Sequence, residues 1–166
     1  MNKKGDITGV FYLVIMISAF AIFLLIVGYI VPQITTPLKN QIGISENINN
    51  SISTSANIAK HTLPTIWLFL FAGLLLGLFI TAYFINTHPI FVPFFIIFLV
   101  GAIIVAVPLS NAYEALSANA TLSSTATEQS AIGFIITKLP LVTFIIGLII
   151  MIVTFAKSGG NEATLA

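Results

Sequence analysis

The chain has no cysteine and no arginine, and only 7% of its 166 residues are charged. Each shortage removes a class of function. Without cysteine there are no disulfides, no thiolate metal sites and no thiol nucleophile. Six lysines against five acids give a net charge of +1, and the lysines are scattered, so no basic patch offers a footprint for nucleic acid. A soluble domain carries roughly 25% charged residues because water must wet its surface. So few charges cannot cover a 17.8 kDa globule whose residues are 58% hydrophobic and whose mean hydropathy is +1.10. The apolar residues must face lipid as well as one another, which makes the chain an integral membrane protein with the bilayer as its first partner.

Long apolar runs are abundant. A helix that crosses the hydrocarbon core needs about 20 apolar residues, and four runs qualify: 10–31, 65–85, 90–109 and 139–156. The first alone holds 15 Leu, Ile, Val or Phe residues, enough to favour insertion by several kcal/mol at a few tenths each. Their length and lack of alternation predict helices, so the expected fold is all-α. It is a single polytopic membrane domain over 1–166 with four transmembrane helices and both termini on one side. Pro32 is expected to stop the first span. The last span extends backwards through Ala131–Thr137 if Lys138 snorkels.

Orientation rests on lysines. Lys3, Lys4 and Lys157 fall on the side of the termini, and Lys39, Lys60 and Lys138 on the other. Lysines beside the first span usually dominate, which places the termini in the cytoplasm, or in the interior of a virion. The connection `INTHP` (Ile85–Pro89) is short enough to make spans two and three an antiparallel hairpin of packed neighbours. The longer segments, 38–64 and 110–138, form the outer loops. In the first, Ile44, Ile48, Ile52, Ala56, Ala59 and Leu63 recur at spacings of three and four, a helical stripe suited to contact with a partner through Ile44, Ile48 and Ile52. In the second, `NAYEAL` reads as a helical continuation of span three, followed by loop.

Catalytic chemistry is not indicated, nor is a cofactor or metal. None of the four runs contains an ionisable residue, the usual mark of a proton or ion pathway. His61 and His88 fall on opposite sides of a span and cannot share a metal. Glu114 and Glu128 share a loop without a framed pocket, and Gly159–Gly160 lacks the strand and helix of a phosphate-binding turn. What remains is packing. Gly73 and Gly77 form a GxxxG in span two, which lets helices approach closely, and Ala102 and Ala106 on span three supply a matching strip of small residues. Sequons at Asn49 and Asn119 fall in the outer loops, and Tyr29, Trp67, Tyr83 and Tyr113 lie near span ends as interfacial anchors do.

Two resemblances add to this. The opening `KKGDIT` with the apolar run behind it resembles the class III signal of archaellins and type IV pilins, which implies cutting after Gly5. Those subunits carry one apolar helix and a soluble head, whereas three more spans follow here. Lys3 and Lys4 are therefore read as the foot of an uncut anchor. The stretch from `VPLSNAYEALSANATL` to `TKLPLVTFIIGLIIMIVTFAK` resembles small integral membrane proteins of lipid-containing viruses, through Asn111, Tyr113, Leu139, Pro140 and Lys157. That likeness implies a structural component of a virion membrane whose outer loops meet capsid or spike proteins, with copies of itself as further neighbours. An accessory subunit of a pilus, secretion or membrane-enzyme complex, and an oligomeric pore or holin, are the alternatives.

Overall fold

An apolar run can satisfy its backbone only within itself or in a closed barrel, and the described residues are almost all helical. A computed structural model describes residues 8–40, 45–84 and 89–156. Seven α-helices follow in order: α1 (Thr8–Lys39), α2 (Glu46–Asn57), α3 (Leu63–Phe84), α4 (Val92–Ser117), α5 (Ser123–Glu128), α6 (Ser130–Thr137) and α7 (Leu139–Ala156). A π-helical turn, Ile58–Thr62, joins α2 directly to α3, and a 3₁₀ turn, Pro89–Phe91, leads into α4. No strand occurs among the described residues. α1, the continuous α2–α3 unit, α4 and α7 are each long and apolar enough to cross a membrane.

Three sequence expectations need correction. α1 does not stop at Pro32 but runs through both Pro32 and Pro37. Each proline removes one backbone donor and crowds the preceding turn. The helix persists because this half of α1 is braced along its length by α2 and the π-helical turn. The segment after `NAYEAL` is not all loop: α5 occupies Ser123–Glu128, and α6 covers the stretch through which the last span was expected to extend backwards. Backbone bonds from Gln129 N–H to Thr125 O and from Gly133 N–H to Gln129 O carry α5 into α6. Those from Lys138 N–H to Phe134 O and from Val142 N–H to Lys138 O carry α6 into α7. Residues 123–156 therefore form one rod bent at Gln129 and Lys138. The second bend has a plain cause, because Pro140 has no N–H for the carbonyl of Ile136 and its ring pushes that carbonyl aside.

The third correction concerns pairing. α3 and α4 are joined by a short connection but are not packed along each other. α4 lies chiefly against α7 and α1, and α3 against α7. A short connection fixes where two helices start, not which faces meet. The faces are decided by packing, which governs helix association where apolar solvent offers no hydrophobic drive. Gly147 on α7 is where α4 comes in closest: a Cβ there would collide with the Leu99 side chain. Ala106 is buried with Val14 and Leu139, and Ala102 is buried fully. An apolar cavity of about 50 Å³ remains between α3 and α4, floored by Gly147 and Thr143 and walled by Leu75, Leu78 and Phe98.

Within the single chain, Gly73 and Gly77 make no close helix contact. Both are exposed and have nothing within 4 Å of where a Cβ would stand. Ala102 and Ala106 are the small residues that pack, but on other helices. Gly147→Val should therefore lower the thermal unfolding midpoint of the purified protein, by the equivalent of about 1–3 kcal/mol of overpacking, and Leu99→Ala should recover part of it. Gly73→Ala with Gly77→Ala should leave the midpoint of the single chain unchanged or slightly raised, since alanine is the better helix former.

Candidate functional site

A ring of large side chains marks the level at which the bundle changes character. Leu24, Leu25, Trp67, Tyr113, Ile132 and Ile136 form one buried cluster. On one side of it the halves of α1, α3, α4 and α7 are almost wholly apolar, and on the other Ser, Thr and Asn appear together with Lys39, Glu46, Lys60, Glu114 and Glu128. α1 has 32 residues and the α2–α3 unit 39, so they measure about 48 and 58 Å at 1.5 Å per residue. Both exceed the roughly 30 Å of a hydrocarbon core. The half of α1 beyond Leu25 and the whole of α2 pair as a helical arm about 20 Å tall.

The arm is polar on one helix and apolar on the other. In α2 the hydroxyls of Ser51, Ser53, Thr54 and Ser55 donate to the carbonyls of Asn47, Asn49, Asn50 and Ser51, each four residues back. These polar side chains are thus satisfied locally. In α1, Ile30, Ile34 and Leu38 repeat every four residues along one face and stay uncovered, with Ile34 58% exposed. The isoleucine stripe of α2 is divided: Ile52 is half-buried, Ile48 is exposed, and Ile44 lies outside the described residues. The uncovered ridge on α1 was hidden in the sequence because Ile34 and Leu38 stand among Gln33, Thr35, Thr36 and two prolines, beyond the end of the apolar run.

A cleft opens at the base of the arm, where three elements converge. Gly28 of α1 faces the bend between α5 and α6 so closely that a Cβ would stand 2.5 Å from Gln129 Nε2 and 2.9 Å from Thr125 Cγ2. Across this gap Gln129 Nε2 donates to the carbonyl of Leu24 at 3.1 Å. Gln129 Oε1 and the Tyr113 hydroxyl are buried without a hydrogen-bond partner, a cost of about 1–3 kcal/mol each. On the far side Ala59 is buried, its carbonyl 3.7 Å from the same Cβ position at Gly28.

The π-helical turn has a local origin. Pro64 cannot donate to the carbonyl of Lys60, and Leu63 N–H instead reaches back five residues to Ile58 O. The Thr65 hydroxyl donates to His61 O at 2.7 Å. π-helical turns occur disproportionately at functional sites, and this one carries Lys60 and His61 to the cleft. Lys60 Nζ meets Glu128 Oε1 at 2.9 Å, a partly exposed pair worth at most about 1 kcal/mol. The cleft measures about 160 Å³. Its upper wall is Lys60, His61 and Glu128, and its lower wall is Pro64, Leu68 and Ile132.

The structure thus brings His61 and Glu128 to one cleft, while His88 falls outside the described residues. Glu114 is exposed on α4. Among the described residues no three His, Asp or Glu side chains gather as metal ligands would. The residues that organise this region, Gly28 and Gln129, have no motif around them, and only their distant contact reveals them. Compared with family models, with curated proteins and with solved structures, the chain matches none. Gly28→Val should drive Gln129 off the Leu24 carbonyl and destabilise the fold by about 1–3 kcal/mol. Faster amide exchange in Leu24–Lys39 and Ser123–Thr137, with α7 protected as before, would be its signature.

Proposed function

We propose that this chain is a non-enzymatic structural protein that spans a membrane with four helices and meets its partner through the arm formed by α1 and α2. Membrane placement is supported by composition and by four helices of spanning length. The lysine pair Lys3–Lys4 favours both termini on the cytoplasmic or interior face, with the arm on the other. The observation that carries the functional reading is the uncovered ridge Ile30–Ile34–Leu38, with exposed Ile48 on the neighbouring helix. With the hydrocarbon core ending at the level of Leu24 and Leu25, as this reading places it, Ile34 and Leu38 stand above the lipid, and a protein neighbour is their natural cover. In a virion membrane that neighbour is a capsid or spike protein.

The reading is tested by placing a photo-reactive amino acid at Ile34 and at Ile48 in the source membrane and identifying what is captured. A structural protein of the particle supports it, whereas a ring of identical copies alone favours a pore. Ile34→Asp and Ile48→Asp should abolish capture and assembly while leaving the protein resistant to carbonate extraction. Normal assembly of both variants would remove the arm from the argument.

A further inference from the structure

We infer that the cleft between the π-helical turn and the α5–α6 bend is a binding site for a zwitterionic phospholipid headgroup bearing a primary ammonium, of the phosphoethanolamine type. The inference assumes the membrane placement proposed above but not the arm or its partner.

The cleft is graded. Its rim carries one cation, Lys60, one exposed imidazole, His61, and one carboxylate, Glu128. Its floor is Pro64, Leu68 and Ile132. A ligand with both charges at one end and an apolar body at the other matches that gradient, and a lipid at the edge of a bilayer has that form. The cleft lies directly above the buried ring of Trp67 and Ile132, where apolar helix gives way to polar layer and headgroups reside. α3 packs on α7 but makes no comparable seam with α6, so an acyl chain has a path down from Leu68 along the outside of α3.

The charges fit a zwitterion better than an anion. Lys60 and Glu128 are already paired at 2.9 Å, with about a third of each side chain exposed. Lys60 retains donors, and Glu128 retains a second oxygen. A phosphodiester can therefore take Lys60 and His61 while an ammonium takes Glu128, and neither protein charge is left unpaired. An anionic lipid would leave Glu128 beside its phosphate. The choice of ammonium follows from the walls: quaternary ammonium groups are held by aromatic cages, and none of the rim residues is Phe, Tyr or Trp. A primary ammonium instead donates charge-assisted hydrogen bonds to the carboxylate. The volume of about 160 Å³ suits a small headgroup.

The test is native mass spectrometry of the full chain released from detergent micelles doped with equal amounts of dioleoyl phosphatidylethanolamine, phosphatidylcholine and phosphatidylglycerol. One phosphatidylethanolamine should be retained in preference to the others. Lys60→Gln and Glu128→Gln should each weaken retention about tenfold, the loss of one charge-assisted bond. Ala131→Trp, an exposed position on the cleft wall, should block it without removing any bond. Circular dichroism establishes that each variant is folded. Free phosphoethanolamine added to the micelles should compete only weakly, because it lacks the acyl body. Full competition would mean a soluble ligand and overturn the lipid assignment. Equal retention of phosphatidylcholine, or retention of phosphatidylglycerol in preference to phosphatidylethanolamine by the parent protein, would overturn the zwitterion. Carbonate extraction tests the membrane placement separately, so the two failures are distinguishable.

Discussion

One close crossing organises the polar end of this protein. α1 passes the bend between α5 and α6 with no side chain at Gly28, and the amide of Gln129 fills the space and bonds the Leu24 carbonyl. With that distance fixed, the π-helical turn is drawn in on the other side through Ala59, and Glu128, next to Gln129, is presented to Lys60. The arm, the cleft and the buried ring of Trp67 and Tyr113 all take their positions from this contact. It is a short-range, directional constraint, and it orders a region where apolar area alone would permit several arrangements.

At the apolar end a second glycine has a different part. Gly147 receives Leu99 and lets α7 lie between α4 on one side and α3 on another. This explains why two helices joined by a short connection are not partners. Small residues make close helix approach possible, yet a small residue on an open face makes no contact, as Gly73 and Gly77 show. Shape on both sides of the seam decides the pairing.

The all-helical character, the four long apolar helices and the limits of α7 were legible from composition and run length. Those properties are additive along the chain and need no tertiary information. The helix over Glu46–Asn57 was legible too, from Ile44, Ile48, Ile52, Ala56, Ala59 and Leu63 at spacings of three and four. What could not be read was decided by contacts across long sequence distances. Gln129 and Leu24 are separated by 105 positions, and no local pattern around either suggests the other. Pro32 looked like a terminator because an isolated helix would end there. The covering of α1 by α2 overrides it, a tertiary effect that a local rule cannot contain. The loop expected after Ser117 gives way in part to α5 for a similar reason: Ala/Ser/Thr-rich sequence has weak preferences, and packing against α4 and α1 settles Ser123–Glu128 as helix.

The π-helical turn sets a rotational phase between the two halves of the longest helical unit. One residue more or less in an α-helix turns everything beyond it by about 100°. The extra residue stored at Ile58–Thr62 is therefore what lets α2 face α1 while α3 faces α7. A helix with a phase offset of this kind transmits twist: if the turn relaxes to regular α-helix, the arm must rotate against the bundle or the bundle against the arm. Insertions or deletions in residues 58–62 would be read by the molecule as a change of angle before they were felt as a change of length.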